Sequence, residues 1–286
     1  MATIVNVLAP AEGLTRKSAG EARAWKIHFG VAETANRIGW RIHQVRGPDL
    51  VLAASEPIEV SQALDEPRAP AGDTSLALVW LPGSNPSASL EEEMQGWLGA
   101  PEEHEIVRAG IRTVRVAWSS DRCVVYAPTE QFDDALDAVL RFTLAKRLTT
   151  SLEARILDVW ADLDRDIPLS HSVGPWKFGA QKRVDARTER VTRLNAEFLR
   201  LQTAVEQLDV KLASASKRLY AELVLQGTIY DRMEMMEDPI EFVMDHYDNA
   251  NTRLIESRNA GIERWTGIAI IALLAVETVL RFTGHG

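Results

Sequence analysis

VDARTERVTRLNAEFLRLQTAVEQLDVKLASASKRL, residues 184–219, decides the helical half of this chain. Its apolar residues Val184, Val191, Leu194, Phe198, Leu201, Val205, Leu208, Leu212, Ala215 and Leu219 alternate spacings of three and four after a first step of seven. That is a heptad seam over about five heptads, interrupted only at Arg187. Such a seam buries itself against other helices, in its own chain or in copies of it. Downstream, Asp238 reads as an N-cap, Pro239 as the first helical residue and Glu241 as its capping-box partner. Ile240, Val243, Tyr247, Ala250 and Leu254 then carry a second seam. A short turn near 234–238 predicts that the two helices pack antiparallel, as a coiled-coil hairpin over 176–264.

Upstream, the apolar residues Leu136, Val139, Leu140, Phe142, Leu144, Leu148, Leu152, Ile156, Val159 and Trp160 predict a long connecting helix over 129–166. Asp166-Ile167-Pro168 closes it, and a loop with Gly174-Pro175 follows. Before Thr129 the period is two. Strands are expected at Ile4–Leu8, Trp40–Val45, Leu50–Leu52, Leu76–Leu81, Thr113–Trp118 and Cys123–Tyr126, with Gly47-Pro48-Asp49 as a turn. Residues 55–73, with Pro57, Pro67, Pro70 and Gly72, read as a loop. Ser89–Leu98 reads as a helix with Glu91, Glu92 and Glu93 in its first turns. The fold class expected is therefore α+β. A mixed or antiparallel-sheet head over 1–128 leads into long antiparallel helices.

Sixteen residues, Trp265–Leu280, lie between Arg264 and Arg281 with only Glu277 charged among them. The expectation is a single C-terminal transmembrane helix over 265–282. Arg264, Trp265, Ile270, Ile271, Leu273, Leu274, Val276, Glu277, Leu280 and Arg281 would form the anchor. Sixteen helical residues reach about 24 Å, against a hydrocarbon core of about 30 Å. Snorkelling arginines and an interfacial indole are needed to extend that span. Glu277 lies one turn before Arg281, so the two are expected to pair. Arg253, Arg258 and Arg264 precede the run and only Arg281 follows it. That bias keeps the head on the cytoplasmic side of a bacterial inner membrane. Met1–Pro10 holds no basic n-region and no long apolar stretch, so no secretory signal is expected there.

The chain of 286 residues carries a formal net charge of −9. Residues 1–166 hold 17 Lys+Arg against 25 Asp+Glu, which disfavours nucleic acid as a partner of the head. Cys123 is the only cysteine, so no intrachain disulfide forms. No two of the six histidines stand at i,i+3 or i,i+4, and no metal or cofactor is expected. No phosphate loop, dinucleotide fingerprint or G-x-S-x-G elbow occurs. Cys123, inside a strand, reads as a buried thiol. Glu234, Glu237, Asp238, Glu241 and Asp245 read as a solvated acidic face. Lys177, Lys182, Arg183, Arg187, Arg190 and Arg193, beside Trp176 and Phe178, read as a basic helix face.

Three segments resemble the uncharacterised family that includes the mitochondrial "required for meiotic nuclear division" protein. Leu144–Glu153 is similar to a family helix of LA-S--L---E type. Asp238-Pro239 is similar to its P--fW region, with Phe242 in place of Trp. Arg258–Val279, with Ile262-Glu263-Arg264-Trp265 and Glu277, looks like its R-LEW-II-LI--E ending, although Arg264 separates Glu263 from Trp265. The resemblance implies a membrane-anchored oligomeric scaffold. The function expected is thus non-enzymatic: an oligomer in which Val191, Leu194, Phe198, Leu201, Val205, Leu208, Leu212 and Leu219 form the seam. Its partners would be membrane lipid, other copies of the chain, and a protein that meets the head. The alternatives are an oligomeric ion channel or membrane-perturbing effector using the C-terminal helix, loosely like the pentameric magnesium channels, and an enzyme whose site is assembled only in space.

Overall fold

The computed structural model describes residues 22–30, 40–68, 74–83, 86–100, 105–171, 178–207 and 214–284. The expected strand at Ile4–Leu8 and the loop at Gly174-Pro175 lie outside them. The chain divides into two compact units. One comprises 1–149 and 200–232, the other 150–199 and 233–286.

The first unit is built on seven strands: β1 (Arg23–Phe29), β2 (Arg41–Arg46), β3 (Leu50–Ile58), β4 (Ser75–Pro82), β5 (Val107–Ile111), β6 (Val114–Trp118) and β7 (Arg122–Ala127). They lie in the order β2-β3-β1-β4-β7-β6-β5. All neighbours are antiparallel except β4 and β7, which are parallel. The sheet is therefore mixed, one of the two arrangements expected for the head. Strand β1 was missed in the sequence, although Trp25, Ile27 and Phe29 alternate with Lys26 and His28 along it. Residues 55–73 are not a single loop: β3 runs on to Ile58, and a short helix α1 (Val60–Asp65) follows.

Helix α2 (Ala88–Leu98) starts at Ser87, whose hydroxyl accepts the amide of Leu90. On this face of the sheet, α1 and α2 bury Ala63, Met94, Trp97 and Leu98 against Val79, Leu81, Val124 and Tyr126. Trp97 Nε1 donates to Ala63 O at 3.1 Å and links the two helices. Carbonyls at helix ends lack intrahelical donors, and arginines supply them here. Arg122 donates to Trp97 O (2.5 Å) and Glu66 O (2.7 Å), and Arg68 donates to Leu98 O.

On the other face, Ile27, Leu78, Val125 and Val116 are buried. After a single 3-10 turn at Thr129–Gln131, helix α3 (Phe132–His171) covers them. Phe142 meets Trp118 edge-on at 4.9 Å, and Trp118 Nε1 donates to Thr143 Oγ1 at 2.9 Å. Helix α5 (Ser214–Gln226) packs against edge strand β5. The turn into helix α6 (Ile229–Thr283) falls at Gly227-Thr228, not at the expected 234–238. Pro239 consequently lies inside α6, and Asp238 is not its N-cap. The reason is a tertiary contact. A Cβ on Gly227 would stand 2.7 Å from two Phe142 ring carbons, and its carbonyl accepts from buried Lys146 Nζ at 2.8 Å. Glycine leaves room for the Phe142 ring, and Thr228 (φ 52°) makes the left-handed step of the turn.

His43 on β2 lies 3.0 Å from the Ser55 hydroxyl. Burial, reinforced by Arg41, lowers its pKa below the ordinary value, partly offset by Asp133 and Asp137. The unfolded chain takes up this proton first, so the group's stabilisation is complete above the unfolded pKa. It is lost as pH falls through the folded one. Urea midpoints at about pH 7.5 and about pH 5.5 are expected to differ by less in His43→Gln than in wild type. An unchanged difference removes His43 as the cause.

The second unit holds the C-terminal part of α3, helix α4 (Phe178–Glu206) as far as Leu199, and α6 from Met233 onward. Arg155 pairs with Glu197, and Asp162 with Arg187 and Arg190, so α3 and α4 run antiparallel. Val184 packs with Ala250 and Leu254, which orients α4 against α6. Trp160 stacks on Phe242 at 5.4 Å. Helix α3 does not stop at Asp166 but continues through Pro168 to His171.

One expectation fails outright. No helix among the described residues is long and apolar enough to cross a membrane. Trp265–Leu280 is the late part of the 55-residue α6, and Arg264, Glu277 and Arg281 interrupt any window of bilayer length. The transmembrane helix over 265–282, the single-pass anchor and the inner-membrane address are therefore not supported.

Candidate functional site

Leu254 is the last buried residue of α6 among those described, and every described side chain from Ile262 onward is exposed or half-exposed. Ile270, Ile271, Leu273, Leu274 and Val276 are 52–69% exposed, as are Trp265, Ile268 and Val279. Successive residues turn by about 100° on a helix. Ile268, Ile270, Ile271 and Leu273 therefore point to four different sides, and the apolar surface encircles the helix. The interruptions are few. Glu277 pairs with Arg281 at 2.7 Å, as their spacing predicted. Thr266 and Thr278 fold their hydroxyls back onto the carbonyls four residues earlier, Ile262 O and Leu274 O. Arg264 is exposed, and the side chain of Leu280 lies outside the described residues.

The heptad seam behaves differently. Val191, Leu194, Phe198, Leu201, Val205 and Leu219 are each at most 3% exposed within one chain. Leu208 and Leu212 lie outside the described residues. The seam is not continuous: α4 ends at Glu206, and in α5 Ser216 rather than Ala215 is buried beside Leu219 and Leu223. The described seam residues therefore have no face left for another copy.

The break at Arg187 has a structural reason that the sequence did not disclose. Arg187 Nη1 pairs with Asp162, and its Nε lies 3.3 Å from Asp166 Oδ2. Arg190 Nη1 joins Asp162 at 2.8 Å, and the Tyr247 hydroxyl donates to Asp166 Oδ2 at 3.1 Å. Burial, then the neighbouring Asp166, raise the Tyr247 phenol above its usual pKa, so it stays a donor. One polar layer thus ties α3, α4 and α6 together at one height. A polar layer in an apolar seam fixes register, because a slipped pairing strands buried charge.

The remaining sequence candidates are not gathered into a reactive centre. Cys123 is fully buried and its thiol is pushed up by that burial, so it supplies no thiolate. Glu234, Glu237, Asp238, Glu241 and Asp245 form an exposed face of α6. Among the described residues, no group of three or more His, Cys, Asp or Glu is placed to hold a metal ion. In the basic stretch, Asp162 holds Arg187 and Arg190, and Glu189 holds Arg193 at 2.7 Å. Trp176 and Lys177 lie outside the described residues.

No protein-family model matches the chain, and no curated protein does. Among solved structures, the chain is similar to one described as the structure of the full-length CmaX protein. That similarity has a TM-score of 0.36 and 14% sequence identity, over 79% of this chain and 81% of that one.

Proposed function

We propose that this chain is a non-enzymatic scaffold that assembles from several copies, held together by the helix after Leu254, with the α+β head free to meet a protein partner. One observation carries the reading: an apolar surface encircles this helix, and Ile268, Ile270, Ile271, Leu273, Leu274 and Val276 stay more than half exposed among the described residues. Trp265, Ile268, Ile270, Ile271, Leu273, Leu274, Val276 and Val279 together offer roughly 800 Å² per copy, which is one partner's share of a standard interface. A helix apolar on all sides is stable in water only when surrounded. A two-helix contact covers one side, so three or more copies are needed to cover the rest. The internal burial of the described heptad residues supports the same division of labour. The seam builds the protomer and the terminal helix joins protomers.

Light scattering on the full chain at about 10 µM is expected to give the mass of at least three copies. A single-chain mass at that concentration ends the proposal.

A further inference from the structure

We infer that a groove in the head, between α2 and the β5–β6 margin of the sheet, binds a small organic anion with an apolar body, its carboxylate held by Arg108 and Arg115. Helix α2 seats Met94, Trp97 and Leu98 on β4 and β7, while Arg108, Gly110 and Arg115 on the outer strands stay exposed. Glu91, Gln95 and Leu98 recur at spacings of four and three and form one wall of the groove. The floor is β5, β6 and Tyr126 of β7. The groove is open on one side and has a volume of about 240 Å³, which suits a ligand of roughly ten non-hydrogen atoms.

Three features give this groove its chemistry. Gly110 stands opposite Arg115 in the strand register, so β5 puts no side chain into the space beside Arg115. Arg115 is already oriented: it donates to Glu91 Oε1 at 2.5 Å and lies over the Tyr126 ring at 5.7 Å. Arg108 is exposed at the mouth. Two guanidiniums against one carboxylate leave one positive charge, in a head whose overall balance is negative. A planar carboxylate matches the guanidinium fork, which a point charge does not require. The Tyr126 hydroxyl, its pKa pushed up to about 12 chiefly by burial, keeps its proton and is a further donor. The apolar surface of Leu98 on the wall, with Ala117 and the Tyr126 ring on the floor, favours a ring or branched body over a bare inorganic anion.

Benzoate and indole-3-acetate are the probes, titrated calorimetrically into the full chain. Saturable binding with a Kd on the order of 1 mM is expected. At least tenfold weakening is expected in Arg108→Ala and in Gly110→Val. A Cβ at Gly110 meets Val114 O at 3.5 Å and Arg115 Cγ at 3.6 Å, which are ordinary contacts, so the backbone tolerates a side chain there and valine's methyls fill the groove. Circular dichroism confirms that each variant is folded, and the exposed Arg108→Ala variant decides alone if Gly110→Val does not fold. Lack of saturation, undiminished binding in the folded variants, or equal binding of inorganic phosphate or benzyl alcohol each overturn the assignment.

Discussion

Asp166→Ala is expected to lower the unfolding free energy by about 3 kcal/mol. Asp166 is 3% exposed and its Oδ2 receives both the Tyr247 hydroxyl and Arg187 Nε. Removing the carboxylate strands a buried phenol and leaves Arg187 with Asp162 alone. Because Arg187 keeps that partner, the loss falls at the lower end of the range for a broken buried pair. Asp166→Asn retains an oxygen for the phenol and is expected to lose about half as much. Tyr247→Phe placed on top of Asp166→Ala is expected to recover part of the loss, since the orphaned hydroxyl is gone. Urea unfolding followed by circular dichroism reads all three. A change below about 0.5 kcal/mol for Asp166→Ala would mean that the layer contributes nothing to stability.

Gly227→Ala is expected to cost about 2 kcal/mol, although alanine is the better helix former. The added methyl would lie 2.7 Å from Phe142 Cε2 and Cζ and 2.9 Å from Leu223 O. Phe142 is fully buried and held edge-on by Trp118, so its ring has nowhere to move. Displacing the turn also disturbs Lys146, whose ammonium is buried between Gly227 O and Glu105. Shortening the ring should restore space. Phe142→Leu alone destabilises, but the double variant is expected to be more stable than the two separate losses imply. Strict additivity in that cycle would falsify the contact account.

How much of this was legible depended on whether the cause was local. Leu76–Leu81 and Cys123–Tyr126 announced β4 and β7 because their residues are apolar over a strand's length, and Thr113–Trp118 announced β6 because Val114, Val116 and Trp118 alternate around Arg115. The seam residues of α4 were legible because the 3.6 period persists over many turns. Strand β5 was missed because Val107–Ile111 is short and contains Gly110. Helix α1 was missed because Glu59 makes no side-chain cap and prolines flank the segment. The turn at Gly227 was misplaced because its cause is Phe142, eighty-five residues earlier. A local capping signal at Asp238-Pro239 therefore won the sequence argument. The same holds for the candidate site. The apolar run after Arg264 was plain, but its accessibility on all sides depends on where packing stops, at Leu254. Arg187 could be seen only as a flaw until Asp162, Asp166 and Tyr247 gave it partners.

The order of synthesis is constrained by the way the first unit is assembled from two stretches of chain. Strand β5 emerges from the ribosome with Val107 and Ala109, yet the helix that covers it begins at Ser214. Until about a hundred further residues have been made, the nascent sheet carries an apolar edge with nothing on it. Such an edge recruits other strands. Chains truncated before Ser214 should therefore be sticky products, and a cell making this protein in quantity has reason to shield it during translation.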